Sequence, residues 1–245
     1  MSEALIRSLS VHIHPTDAVG AGTRAAMFRL LARCFEDADE AVFEADLGEK
    51  DTVILLTDPG GEVQGFTTSR TYTETVGGAP VRVLFSGDTL VAPEAWGTPL
   101  LHRAWVRVAM DRRAAHDSPL WWMLICSGYR TYRYLPLFFQ RFWPRFDETT
   151  PGHVQAIMDG LATARYGARY EDGVVRIPGG RLRPGVSEVP PHRERDPHVA
   201  HFLRMNPGHA RGDELVCLAE FHPGNFTRAL DRLAATVQRE GWERP

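Results

Sequence analysis

Apolar positions recur along this chain either every second residue or every third and fourth, and the two periods separate strands from helices. Leu9–His14 alternates enough for a short strand, which Pro15 closes. Met27, Leu30, Leu31, Cys34 and Phe35 form a single helical stripe. The acidic stretch 36–50 has only Val42, Phe43 and Leu47 as apolar anchors and reads as a second helix, covering a cleft or presenting a solvated face. Residues 51–93 read as an antiparallel meander. Val53–Leu56 is a continuous apolar strand, Asp58-Pro59-Gly60-Gly61 a turn, and Val63–Thr75 a long second strand. Gly77-Gly78-Ala79-Pro80 turns the chain into a third, Val81–Val91. Strict alternation in that third strand puts Val81, Val83, Phe85 and Val91 on one face, and Leu84, Ser86, Asp88 and Leu90 on the other.

A Gly/Pro turn, Pro93–Pro99, leads into an amphipathic helix over Leu100–His116. It sends Leu100, Leu101, Ala104, Trp105, Val108 and Ala109 inward and Arg103, Arg107 and Arg112 outward. Leu120–Ser127 is apolar on both faces, as expected of a strand parallel to its neighbour and covered on both sides. Gly128–Phe142 reads as a further helical segment. Beyond Asp147, Thr150-Pro151 opens a helix with Val154, Ile157, Met158 and Leu161 inward. Gly173–Pro178 reads as a strand, Gly179–Arg195 as a long loop, Asp196–Met205 as a short helix and Glu214–Phe221 as a strand. Phe226, Leu230, Leu233 and Val237 mark a final amphipathic helix. The division expected is a core over 1–147 and an elaboration over 148–245 that completes the same sheet rather than folding apart.

Composition narrows the classes. Of 245 residues, 43% are hydrophobic and 10% aromatic, enough for a sizeable core. A formal charge of −3 gives no electrostatic footprint for nucleic acid or an anionic membrane. Cys34, Cys126 and Cys217 are far apart in sequence without CxxC spacing, so neither a disulfide framework nor a zinc site is expected. No charged-then-apolar leader opens the chain and no apolar run is long enough to span a bilayer, which makes a soluble cytoplasmic protein the expectation. His12 with His14, and His198 with His201, share faces but lack a carboxylate at ligand spacing.

The stretch Phe85-Ser86-Gly87-Asp88-Thr89-Leu90-Val91-Ala92-Pro93-Glu94-Ala95-Trp96-Gly97 resembles the acyl-donor-binding signature of the GCN5-related N-acetyltransferase (GNAT) superfamily. The order of elements over roughly residues 8–147 is similar to the core of that family. The resemblance implies an α/β fold with a mixed, mostly antiparallel central sheet flanked by helices and followed by a C-terminal elaboration. It also implies that the third meander strand and the strand after the helix splay apart, with the pantetheine arm of the donor in the gap. The family's phosphate turn, Gln/Arg-x-x-Gly-x-Gly/Ala, becomes Glu94-Ala95-Trp96-Gly97-Thr98-Pro99 here. Glu94 puts a negative charge where a donor side chain belongs, and Pro99 removes a backbone N–H. Leu90, Val91, Trp96, Gly97, Thr98 and Ser127 are the donor-binding candidates. Acyl-coenzyme A, with an acetyl or longer chain, is the co-substrate that the resemblance implies, and no metal is expected.

The implied chemistry is aminolysis of a thioester, which needs a base for the amine, hydrogen-bond donors for the carbonyl and an acid for the leaving thiolate. Asp88 is the first candidate base, because partial burial would raise its pKa into a useful range; Glu94 is the second. Where the family commonly places a tyrosine acid, this chain has Phe139, so Tyr132, two turns earlier, is the candidate acid. The aromatic run between Trp121 and Trp143 reads as core or as the wall of an acyl pocket. The acceptor expected is a small-molecule amine. An acyl carrier protein as donor, as in autoinducer synthases, a homodimer, and a catalytically silent GNAT-fold module are the alternatives left open.

Overall fold

The computed structural model describes residues 3–177 and 180–239. Pro178 and Gly179, at the junction of the expected strand and long loop, lie outside them. The helices are α1 (Glu3–Ser8), α2 (Ala21–Cys34), α3 (Glu40–Gly48), α4 (Leu100–Ala114), α5 (Tyr129–Tyr132), α6 (Tyr134–Phe138), α7 (Gly152–Tyr166), α8 (Pro191–Glu194), α9 (Pro197–Met205) and α10 (Arg228–Arg239). The strands are β1 (Ser10–Pro15), β2 (Thr52–Thr57), β3 (Val63–Val76), β4 (Ala79–Val91), β5 (Leu120–Cys126), β6 (Tyr170–Glu171), β7 (Val174–Arg176) and β8 (Asp213–Glu220). All eight join one sheet in the order β1-β2-β3-β4-β5-β8-β7-β6.

Every neighbouring pair is antiparallel except β4 and β5. That parallel pair is held only from Arg82↔Leu120 to Ser86↔Leu124. Past it, the end of β4 pairs with β3 alone and the end of β5 with β8 alone. The two strands therefore splay, and the gap between them is open at its wide end. The fold is thus the expected α/β one, a mostly antiparallel sheet between helices with β4 and β5 splayed apart.

One sheet face is buried under α4, α10, α5, α6 and α9, in a core that includes Leu84, Trp105, Trp122, Phe139, Phe202 and Leu230. On the other face, α2 and α3 cover the β2–β4 side, with Met27, Phe43, Leu47 and Phe66 interlocked. There α7 covers the β4–β5–β8 side through Val154, Met158 and Leu161. The space between these two helical layers lies directly over the splay. Among the described residues no helix is long and apolar enough to cross a membrane.

Three local expectations change. The alternation in β4 is broken by a bulge: Thr67 pairs with Thr89 and Ser69 with Ser86, which leaves Gly87 and Asp88 opposite Thr68 alone. One extra residue reverses the side on which the rest of the strand points. Leu84 and Ser86 face α4, where Ser86 Oγ accepts from Trp105 Nε1 at 3.0 Å and Trp122 Nε1 at 2.9 Å. Asp88 and Leu90 face the opposite side, with Phe85. The helical segment 128–142 breaks into α5 and α6, because Pro136 has no N–H to donate to the Tyr132 carbonyl in a continuous helix. Val42, expected as an anchor, is 65% exposed, while Phe43 and Leu47 carry the α3 packing.

Candidate functional site

A cleft of about 710 Å³ opens over the splay. Its walls are α2 and α3 on one side, α7 on the other, and its floor is the end of β4, the end of β5 and the start of β8. Asp39 caps α3 by accepting from the Ala41 and Val42 amides at 2.8 and 3.0 Å, which fixes the helix along the rim. The α3 C-terminus delivers Asp46, Glu49 and Lys50.

Lys50 is the only lysine of the chain, and its side chain is fully buried behind the bulge. Its Nζ reaches Asp46 Oδ2 at 2.5 Å and donates to the Asp46 carbonyl at 2.9 Å. Gly87 is required beside it, since a Cβ there would meet Lys50 Cε at 2.5 Å and also strike Thr68 Oγ1. Across the cleft, Arg165 lies over the Phe85 ring at 4.3 Å and pairs with Glu49 and Asp46 at 3.1 and 3.4 Å.

Two carboxyl groups stand on the floor. Asp88, half-buried, has no hydrogen-bond or ion-pair partner among the described residues. Burial, and after it the Asp46 charge, pushes its pKa up to about 6, with Lys50 pulling the other way. Glu214 is 7% exposed. Burial pushes it up to about 7, opposed by a hydrogen bond from Ser127 Oγ at 2.5 Å and reinforced by the charges of Asp88 and Asp46. Two acids tuned upward in one cleft suit proton transfer near neutral pH. Glu214 was legible in the sequence only as the first residue of an expected strand. What makes it notable is Ser127, 87 residues away.

Of the donor-binding candidates, Leu90 and Ser127 line the cleft. The Ala92 amide donates to Gln64 O at 2.8 Å, so antiparallel alternation turns the Leu90 backbone groups toward β3 and those of Thr89 and Val91 toward the open edge. The Val91 carbonyl already accepts from Trp96 Nε1 at 2.8 Å, and the Arg130 guanidinium lies over the Trp96 ring at 4.8 Å. Gly97 takes φ +94 with open space where a Cβ would be, so the backbone is accessible there. Thr98 is buried and its Oγ1 accepts from the Leu100 amide at 3.3 Å at the start of α4. These features fit a pantetheine-like arm along the edge of β4 better than a pyrophosphate at the turn.

Two acid–base candidates lie elsewhere. Tyr132 is fully buried in the core between Phe142 and Phe202, its hydroxyl donates to the Pro144 carbonyl at 2.7 Å, and burial raises its pKa. It does not reach the cleft. Glu94 is exposed in the turn before α4, where it accepts from Arg33 Nη2 at 2.8 Å and its pKa is lowered by hydrogen bonding. The run from Trp121 to Trp143 packs as core: Phe139, at the position of the family tyrosine, touches Trp122 and Phe221, and none of these rings lines the cleft.

Among the described residues no group of three His, Cys, Asp or Glu is arranged to hold a metal ion. His12 and His14 stack on each other in β1, and His198 packs on Phe142 and Phe146. Cys126 and Cys217, distant in sequence, lie side by side on β5 and β8 as free buried thiols 3.8 Å apart, and burial raises the pKa of Cys126.

No family model and no curated protein sequence matches the chain. Among solved structures it is similar to a GNAT family N-acetyltransferase from Escherichia coli in complex with CoA, at 16% identity and a TM-score of 0.38 over 52% of this chain and 67% of that one. A GCN5-related N-acetyltransferase from Kribbella flavida gives 19% identity and a TM-score of 0.40 over 54% of this chain, which spans only 33% of the other. A probable N-acyltransferase from Enterococcus faecalis gives 13% identity and a TM-score of 0.42 over 88% of this chain and 66% of that one. At TM-scores below 0.5 these likenesses carry no functional weight.

Proposed function

We propose that the protein is a divergent GNAT-type N-acyltransferase, moving an acyl group from an acyl-coenzyme A thioester to the amine of a small molecule. The observation that carries this reading is the Asp88 carboxyl, unpartnered and tuned to about 6, on the floor of the gap where β4 and β5 part. An arm laid along the open edge of β4 would present its thioester to the outward amides of Thr89 and Val91, preformed donors for charge developing on the carbonyl oxygen. Asp88 takes the proton of the attacking amine. The acidic rim, with Asp37, Asp39 and Glu74, suits a cationic acceptor.

The turn favours a second reading in which the arm is carried by an acyl carrier protein: Glu94 is already paired with Arg33, and Pro99 offers no N–H. Calorimetric titration with acetyl-coenzyme A and with acetyl-pantetheine separates the readings. Micromolar binding of both, with thiol release when amines are supplied, supports the first. Binding of acetyl-pantetheine alone supports the second. Silence with both leaves a GNAT-fold module without this chemistry.

A further inference from the structure

We infer that Ser127 and Glu214 together form the acid of the reaction, a two-residue relay that hands a proton to the departing thiolate; this rests on the acyl-transfer reading above. Aminolysis of a thioester expels a basic alkyl thiolate, so a group near the gap must supply a proton. The sequence candidate cannot: Tyr132 gives its hydroxyl hydrogen to the Pro144 carbonyl, and Phe139, at the position of the family tyrosine, has no proton to give. Ser127 directly follows β5 on the side of the gap opposite Asp88, and its Oγ is 2.5 Å from Glu214 Oε1 on β8. Both residues line the cleft.

The surroundings keep a proton on Glu214. Asp88 faces it from β4 and Asp46 from α3, both acidic, while the Arg165 guanidinium on α7 is engaged by Asp46 and Glu49. A carboxyl pushed up to about 7 is protonated in a large share of molecules at neutral pH. In that form its O–H donates to Ser127 Oγ, and the serine hydroxyl hydrogen turns toward the gap.

The step balances without a further reactant. The amine nitrogen bonds to the acyl carbon and the carbon–sulfur bond breaks, with its electron pair leaving on sulfur. Asp88 takes the amine proton. Sulfur takes the Ser127 hydroxyl proton as Ser127 takes the one held by Glu214. The cycle ends with Asp88 protonated and Glu214 ionised, and one proton exchange through water restores both.

The test compares leaving groups. Glu214→Gln keeps the hydrogen bond but cannot release a proton, and Ser127→Ala breaks the chain at its other link. Each variant is compared with wild type for enzyme-dependent hydroxamate formation from hydroxylamine, using acetyl-coenzyme A and, separately, phenyl thioacetate, whose aryl thiolate leaves without protonation. The expected result is a loss of kcat/KM of about 100-fold for both variants with acetyl-coenzyme A, and activity within a few-fold of wild type with phenyl thioacetate. Equal losses with both donors would assign the pair a structural role and overturn the relay, as would full activity with both. Wild-type protein forming hydroxamate from neither of these donors nor from acetyl-pantetheine would instead sink the acyl-transfer reading, and the relay with it.

Discussion

On the proposed acyl-transfer reading, Asp88 sets folding against catalysis. Its pKa is raised from 3.8 to about 6 because the native state buries the carboxyl and offers it no hydrogen bond. The native state therefore holds a proton more tightly than the unfolded chain, and stability falls as pH rises through this range. Asp88→Asn is expected to melt at the same temperature as wild type near about pH 4 and to be more stable at about pH 8, by on the order of 2 kcal/mol. The same substitution should lower acyl transfer by about 100-fold or more while leaving acetyl-coenzyme A affinity unchanged by calorimetry. In wild type, kcat/KM should fall below about pH 6, where the base is protonated. A variant destabilised at high pH, or a flat rate profile, would remove Asp88 from the role.

The bulge in β4 matters more than any single residue it carries, because it decides which side chains meet the cleft. Gly87 permits it by leaving room for Lys50 and Thr68. Gly87→Ala is expected to cost about 1–3 kcal/mol in chemical denaturation, since backbone or buried neighbours must shift. The turn before α4 offers a separate test. Glu94→Gln removes the exposed charge that now engages Arg33 and lies near the helix N-terminus. Coenzyme A should bind about two- to fivefold more tightly to that variant if its phosphates lie there. Unchanged affinity would put the nucleotide end elsewhere and favour a carrier-protein donor.

At the scale of the whole molecule, residues after 147 are wound into the core rather than appended to it. β8 pairs along β5 from Trp121↔Glu220 to Cys126↔Leu215, Trp143 exchanges backbone hydrogen bonds with Leu218, and Phe202, Phe221 and Phe226 fill the cluster under α4. We expect the full chain to unfold in one cooperative transition followed by calorimetry and circular dichroism together. Truncation after Asp147 should abolish it, because that leaves one edge of β5 unpaired and half the core open. A truncated chain with its own sharp transition would show the core to be independent. The C-terminal part also reaches the cleft: Leu182 pairs with Phe35 in an isolated bridge, the Glu36 amide donates to Arg181 O, and Gly180 lines the wall.

The sequence by itself determined most of the elements and their order, among them the helix over Met27–Phe35, the three-strand meander and the doubly apolar strand Leu120–Ser127, but not α1, β6, α8 or the break between α5 and α6. It also singled out Asp88. Apolar periodicity, turn residues and caps act between residues a few positions apart, so they can be read along the chain. Only the tertiary structure decided what stands beside Asp88. The bulge depends on how β4 registers against β3, and no local pattern distinguishes Gly87-Asp88 as the two residues opposite Thr68. Tyr132 and Phe139 lie close to the strand end in sequence, yet the break at Pro136 and the packing of α9 carry them into the core. Glu214 has no neighbour in the chain that marks it, and becomes an acid of the cleft because β8 closes against β5 and brings it to Ser127. Burial and cross-strand contact set the protonation of a carboxyl, and both exist only once distant segments have met.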